Sequence, residues 1–556
     1  MTSNPMTQAE YSLSGGVKLE DNKLQSTGTP IVTCPTPSQL FIPLNMHTGA
    51  DAKTVIEVGS RVTQYQLIAE AIGNISANVH SPVDGTVADI KMMPVVNRSE
   101  LDEWVIILDV CADASVDSDA DSASSNTHKP SKRDWSKQSK DELLDIIQQA
   151  GIVGLGGACF PTHQKLLSSA TIDCHTLLLN GAECEPYISC DSMTMVEQAF
   201  EIIEGCLILA SILNASNLQI AIEDNKPEAI SAMTKAADAI ENLTIEVITI
   251  PTIYPSGGEK QLLEIITGKQ VAIGKYPASL GYLVQNIGTA LAIYEAVVLD
   301  KPLIERIVTV TGEAVKRPGN YRVSFGTSIR HLLDFAGWDE AKTTSLIHGG
   351  PMMGFSLPSA DRPIVKSSNC IIAGTAEEFQ QPDSEHPCIR CGLCAEVCPA
   401  SLLPQQLFWF SQAGELNKAE DHNIMDCIEC GACSYVCPSQ IPLVDYYRFT
   451  KGEIRTRADI TDKAERSKLR FDFRNERLET IKLEKTRARE ERKRLAAEKR
   501  QQESGSSDST SNSSSNSTYN SKKDEVAEAL ARVQAKKDAK IEAMTKIQKD
   551  QGNADV

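Results

Sequence analysis

The stretch Cys388-Ile-Arg-Cys391-Gly-Leu-Cys394-Ala-Glu-Val-Cys398-Pro399 returns as Cys427-Ile-Glu-Cys430-Gly-Ala-Cys433-Ser-Tyr-Val-Cys437-Pro438. This is the C-x2-C-x2-C-x3-C-P run, written twice. Each run supplies the thiolates for one [4Fe–4S] cluster, and where two runs share a chain the fourth Cys of each ligates the other cluster. The reading assigns Cys388, Cys391, Cys394 and Cys437 to one cluster, and Cys398, Cys427, Cys430 and Cys433 to the second. Short spacings let three sulfurs point inward from one tight loop. Gly392 and Gly431 let the backbone pass close to the cluster, and Pro399 and Pro438 redirect the chain after the last ligand. Zinc sites and disulfides are the competing readings. Zinc motifs, however, usually pair two C-x2-C units rather than string four Cys before a Pro. The chain carries electrons.

Working outward, 556 residues exceed what one core accommodates, and several domains are expected. A net charge of -19 argues against nucleic acid as a partner. No N-terminal segment combines a basic start, an apolar run and a small-residue cleavage site, so secretion is not expected. The longest apolar stretch, Cys206 to Leu213, is too short to span a bilayer and reads as a buried helix. The eight Cys outside the two runs show no regular disulfide framework, which suits a reducing, cytosolic compartment.

Residues 1–111 read as an N-terminal extension followed by short strands between Gly, Pro and Asn turns, with Val55 to Gly59 and Val79 to Val87 as strand segments. An acidic Ser/Asp linker is expected over 112–139. From 140 to 300, helices alternate with apolar strands at Thr176 to Asn180, Leu218 to Ile222 and Ile245 to Ile250. That pattern predicts an α/β domain with a largely parallel sheet. Residues 301–382 return to strands with one helix from Ser328 to Ala336. The paired Cys runs occupy 383–447. The remainder, 448–556, reads as a charged tail. It holds a basic helix around Lys485 to Arg494, a Ser/Asn tract from Ser504 to Ser521 disordered by composition, and a last helical piece from Asp524 to Gln551. The basic helix suits an anionic membrane surface, or equally a solvated extension.

Within 140–300 four loops concentrate ligand-binding chemistry. Gly151-Ile-Val-Gly154-Leu-Gly156-Gly157 frees successive backbone N–H groups to face an anion, and Lys165 falls in the first turn of the helix that follows. Alone, such a loop reads equally as an ordinary turn. But strand 177–179 runs into Asn180, Glu183 and Glu185 at its carboxyl end, where open α/β sheets bind ligands. Tyr254 to Glu259 and Gln285 to Thr289 likewise precede helices. Together the four loops describe a cofactor cleft.

These segments resemble the NADH-binding flavoprotein subunit of respiratory complex I, and more closely the RnfC subunits of the Rnf ion-translocating electron transport complexes. The resemblance covers nearly the whole chain in order. It implies a multidomain α/β and α+β fold: an N-terminal barrel-sandwich, an α/β FMN/NADH-binding domain, a β-grasp module, a bacterial-type two-cluster ferredoxin domain, and a charged helical and disordered tail. Biotinyl and lipoyl carriers, which the barrel-sandwich resembles, present a modifiable Lys at the hairpin tip. Here Val83, Asp84 and Gly85 stand there, so a structural module is expected. By matching motif, Gly154, Gly156, Gly157 and Lys165 hold the phosphate of noncovalent FMN, Asn180 contacts the flavin and Glu185 the nucleotide. Glu183, Tyr254, Glu259, Asn286 and Thr289 take further cleft positions. Leu155, Ala182 and Gly258 depart from complex I, which has Arg, Asp and Glu there.

The resemblance further implies electrons passing from NADH through FMN to two [4Fe–4S] clusters and on to integral membrane and flavoprotein subunits. The chain would sit peripherally on the cytoplasmic side of the inner membrane, with ferredoxin or a redox regulator as a possible downstream acceptor. No side chain is assigned a catalytic role, because the chemistry belongs to the cofactors. A soluble NADH diaphorase module of another redox complex, or a non-catalytic electron-transfer adaptor, are the rival readings.

Overall fold

The computed structural model describes residues 13–111, 132–170, 174–241, 243–272, 274–379 and 384–504. Of the linker expected over 112–139, residues 112–131 lie outside these residues, while 132–139 hold a short 3-10 helix, Trp135–Lys137; the final helical piece and the Ser/Asn tract also lie outside, apart from Ser504, which ends a helix.

Residues up to Ala458 make one compact unit. Its centre is a four-stranded sheet in the order Ile245–Ile250, Asn217–Glu223, Thr176–Gly181, Tyr282–Asn286, parallel throughout. Leu177, Leu178 and Leu179 have no exposed surface, as expected for a strand covered by helices on both faces. The first strand in sequence lies beside the last, so the sheet reverses its winding between Thr176–Gly181 and Tyr282–Asn286. Crevices for ligands open at the carboxyl ends of strands at such a switch point. The helix Ala199–Leu213 packs on Ile287–Leu299 so closely that a Cβ on Gly205 would collide with the Ala290 carbonyl oxygen.

Before this domain comes a sandwich of two antiparallel sheets. One is Gln39–Pro43, Asp102–Val110, Gly85–Pro94, Arg61–Val62; the other is Lys53–Thr54, Leu67–Glu70, Val79–His80. Val55 to Gly59 is not a strand, contrary to the periodicity. The chain turns there through Gly59 at a φ of +85°, and the Gly59 N–H bonds to Val87 O. At the hairpin tip, Asp84 accepts from the Gln64 N–H at 2.7 Å.

After the central domain, a six-stranded sheet contains Glu305–Thr311, Gly319–Ser324, Ser345–His348, Phe355–Ser356 and Cys370–Gly374, with the helix Ile329–Phe335 beside it. Its edge strand, Val32–Thr33, comes from the N-terminal extension and pairs parallel with Gly319–Ser324. The extension therefore contributes a strand to this sheet. A single hydrophobic core runs through all three parts. Lys366, buried, ties them: its Nζ donates to Asn78 O at 3.1 Å and Gly151 O at 2.8 Å, and burial lowers its pKa to about 8.

The paired Cys runs enclose a separate small core of Leu402, Leu407, Phe408, Ile424, Tyr447 and Ile454. The helix Leu443–Ser504 starts inside this core, so the packing reaches beyond the sequence-based boundary at 447. From Asp459 onward, in the second unit, the side chains described along this helix are exposed. No helix among the described residues is long and apolar enough to cross a membrane.

Candidate flavin cleft and iron–sulfur centres

The glycine loop closes on itself. Gly154 N–H donates to Phe160 O at 2.9 Å, and Cys159 N–H returns to Gly154 O at 3.2 Å. Leu155 N–H donates to Thr289 Oγ1 at 2.9 Å, anchoring the loop to the helix at the switch point. Gly156, Gly157 and Ala158 are exposed, and among the described residues nothing accepts from their N–H groups. Gly157 has a φ of +132°, and a Cβ on Gly156 would approach Asn286 Cβ at 3.3 Å. The result is a cradle of free donors that a side chain would crowd, beside the N-terminus of the helix Thr162–Ala170. Both features suit a phosphate.

Lys165 donates from Nζ to Glu259 Oε1 at 2.7 Å and to Val284 O at 2.6 Å. A phosphate on the loop would compete with Glu259 for this ammonium. Asn286 caps the helix Ile287–Leu299, accepting from Thr289 N–H, and its Nδ2 donates to Asp191 Oδ2 at 2.6 Å. Asn180 holds two loops together: Nδ2 donates to Gly257 O at 2.9 Å, while Oδ1 accepts from Ala182 N–H at 3.0 Å.

The two acidic residues of the 180–186 loop are spoken for. Glu183, buried, accepts from the Asp191 N–H at 2.8 Å and the Ser192 N–H at 3.4 Å, capping the helix Cys190–Glu197. Glu185 accepts from the N–H groups of Met352 and Met353 at 2.7 and 2.9 Å, and burial raises its carboxyl above the ordinary range. A Cβ on Gly350 would strike Glu185 Cγ, so this loop comes close only because glycine stands there. Tyr254 is buried, and its O–H donates to the Cys430 carbonyl at 2.5 Å. Burial, and then the nearby Glu185, push its phenol far up.

Gly154, Gly156, Gly157, Lys165, Asn286, Thr289 and Glu259 thus gather about the switch point, Asn180 joining its neighbouring loops. Glu183, Glu185 and Tyr254 face the domain junctions. The departures from complex I have local reasons. The Leu155 side chain is buried, lining a partly open pocket with Leu291 and Ile307. Ala182 and Gly258 sit where the 180–185 and 254–258 loops close-pack; a Cβ on Gly257 would meet Ala182 O at 2.7 Å, and one on Gly258 would run into Gln261 Oε1.

The sequence reading missed Asp191, which carries Asn286. It also missed Lys23, whose Nζ donates to the carbonyls of Glu183 (2.7 Å), Glu185 (2.9 Å) and Ile188. Both partnerships are set by the tertiary fold, and no local pattern announces them.

The two Cys runs fold as near copies. Arg390 and Glu429, Gly392 and Gly431, and Ser401 and Gln440 pair off at matching positions with positive φ. Burial raises the Cys394 thiol, and the neighbouring charges of Cys391, Cys388 and Cys437 push it further. Burial does the same at Cys430, raised to about 12, with Cys427 and Cys398 as the adding charges. Cys394 thus has Cys388, Cys391 and Cys437 for neighbours, and Cys430 has Cys427 and Cys398. An apolar cavity lined by Cys398, Cys427, Cys430 and Cys433, with Leu402, Leu407 and Tyr447, encloses the second set. Buried thiols that repel one another as thiolates are suited to a centre whose iron charge deprotonates and offsets them.

Family models match in the same order. The RnfC barrel sandwich hybrid domain covers residues 11–110 and the Nuo51 FMN-binding domain 147–295. The SLBB domain covers 307–356 and the 4Fe-4S dicluster domain 387–441. The chain therefore carries an FMN-binding domain and a ferredoxin domain for two [4Fe–4S] clusters. The solved NAD+-reducing [NiFe]-hydrogenase, in its air-oxidised state, aligns over 53% of this chain and 60% of its own at 18% identity and a TM-score of 0.41, too distant to carry an argument. The chain is 46% identical over 487 residues to the RnfC subunit of the ion-translocating oxidoreductase complex of Pectobacterium carotovorum, spanning 88% of itself but 63% of that protein's length. For the RnfC of Pectobacterium atrosepticum the identity is 46% with 68% of its length spanned, and for that of Yersinia pestis 44% with 76%. At this identity and coverage, the chain belongs to the RnfC family of ion-translocating oxidoreductase complexes.

Proposed function

We propose that this chain receives hydride from NADH at FMN in the switch-point cleft and passes the electrons singly through two [4Fe–4S] clusters to other subunits of an ion-translocating complex. One observation carries the reading: the chain that bears the open N–H cradle also bears both ligand sets, and Tyr254, on a loop of the cleft domain, bonds to the backbone of a cluster ligand.

When bound, the flavin supplies the two-electron to one-electron conversion that clusters cannot perform. The protein's share is positional. Gly156, Gly157 and Ala158 offer backbone donors to phosphate, Lys165 supplies charge, and Asn180 and Asn286 fix the loops on either side. Thr289 sets the height of the glycine loop, Glu259 holds Lys165 in reserve, and Glu183 and Glu185 lock the surrounding loops. In this reading the chain works at the cytoplasmic face of the inner membrane, held there by integral subunits of the complex. The partners are those subunits and a flavoprotein subunit of the same complex, with ferredoxin or a redox regulator beyond them.

The test is cofactor content and NADH reduction of the purified, anaerobic protein. We expect one FMN, about eight iron per chain from two four-iron clusters, and bleaching of both chromophores by NADH. Full cofactor content with bleaching by dithionite but none by NADH would sink the reading and favour an electron-transfer adaptor.

A further inference from the structure

The acidic loop that follows strand Thr176–Gly181 is held from outside the cleft domain. Lys23, in the N-terminal extension, is only 6% exposed. An ammonium has three donors, and this one gives them to the backbone of that loop: Glu183 O at 2.7 Å, Glu185 O at 2.9 Å, and Ile188 O. Buried charges are ordinarily paired. The neighbouring Lys226 obeys the rule, its Nζ donating to the Glu223 carboxylate. For Lys23 the Glu183 carboxylate stands off at 4.0 Å, beyond hydrogen-bond reach. Lys23 Nζ therefore sits in a cage of carbonyl dipoles, an arrangement that elsewhere replaces the hydration shell of a bare monovalent cation. Its own backbone is fixed on either side. Asp21 O accepts from the Tyr187 N–H at 2.8 Å, and Ser26 Oγ lies 2.7 Å from Ser189 Oγ.

The caged loop reaches several sides of the cleft. Asn180, at its start, bonds to Gly257 O. Glu183 accepts from the Asp191 N–H, and Asp191 in turn accepts from Asn286. Glu185 accepts from the Met352 N–H. Without the ammonium, the Glu185 and Ile188 carbonyls lose the donor they face. An unpaired buried polar group is costly, so the loop would shift to relieve it. We propose that Lys23 is a positioning residue for the nucleotide: acting as a built-in monovalent cation, it sets the 183–188 backbone in the shape that binds NADH. Lys23 itself touches neither substrate nor flavin. The proposal rests on the reading above that NADH binds in this cleft. A mis-set loop weakens ground state and transition state alike, so its loss appears in KM rather than in kcat.

The experiment uses the full holoprotein, with NAD+ as the probe because it binds without reducing the flavin, and NADH-to-dye turnover beside it. Lys23→Met keeps the length of the stem and loses the ammonium. In it, the Kd for NAD+ by calorimetry and the KM for NADH should each rise by about tenfold or more, with kcat, FMN and iron within about twofold of the parent. In Lys23→Ala, ethylammonium should bring both constants back towards the parent's, whereas choline, a cation with no N–H donor, should not. Parental Kd and KM in Lys23→Met overturn the proposal. Rescue by choline as readily as by ethylammonium, or by neither, overturns it too. If neither variant keeps the parent's FMN and iron, Lys23 is a structural tie only and the proposal fails. Should NAD+ binding weaken in Lys23→Met while NADH leaves the parent's flavin oxidised, the role of Lys23 stands and the NADH-oxidation reading fails. A parent that binds no NAD+ overturns both.

Discussion

Asp191 is the residue beneath the cleft whose charge state matters most. Burial raises its carboxyl to about 7, and the nearby Glu183 adds to the effect against the opposing Asn286 amide and Arg306. The folded chain therefore holds a proton that an unfolded Asp, with a pKa near 3.9, has already released. Between those two values the native state binds more protons, so this group's contribution to stability falls as pH rises. Asp191→Asn has no proton to lose and can still accept from Asn286. Urea unfolding should show the variant gaining on the parent by at most about 1.4 kcal/mol per pH unit up to about pH 7, then levelling. Parallel curves across that range would mean Asp191 is ionised in the fold. At this scale the sequence was legible where ligands are covalently patterned. The eight Cys stand out by spacing alone, whereas Asp191 and Lys23 act through partners far along the chain.

Elements with a strong internal pattern were the easiest to read. The parallel strands show as unbroken apolar runs because both faces are covered. In the structure Asn286 and Ser139 cap the helices that follow them, the latter in a full capping box with Glu142. Val55 to Gly59 misled because the β-branched Val55, Ile56 and Val58 fit a strand, while Gly59 was needed for the turn back towards Val87. The glycine in the helix Ala199–Leu213, Gly205, is accounted for by the crossing helix Ile287–Leu299. Gly205→Ala should cost about 1–3 kcal/mol through overpacking against the Ala290 carbonyl, seen as a lower denaturation midpoint. An unchanged midpoint would mean that the two helices move apart at little cost.

On the scale of the whole molecule, the order of modules could be read from sequence, but their stitching could not. Residues 13–33 contact the cleft domain, the ferredoxin core and the six-stranded sheet in turn, and no short pattern encodes such a path. The helix from Leu443 enters the ferredoxin core before turning polar, and its Ile454 still packs there. Removing residues 459–556 therefore spares every residue proposed to bind a cofactor, and NADH-to-dye turnover should be unaffected. The same truncation removes the basic stretch Lys485 to Arg494, where each Lys or Arg near an anionic surface is worth on the order of 1 kcal/mol. Co-sedimentation with membranes that contain the partner subunits should weaken, and for the intact chain it should fall with added salt. Undiminished binding of the truncated chain would put docking on the folded modules.

The central claim is that electrons enter through the glycine-loop cleft. Gly156→Val puts a branched side chain against Asn286, and Lys165→Ala removes the ammonium, while neither touches the ferredoxin core. Both variants, purified anaerobically, should keep the parent's iron content and remain reducible by dithionite, yet lose FMN and with it the bleaching of the clusters by NADH. Clusters that NADH still reduces at the parental rate in the FMN-depleted variants would contradict the account.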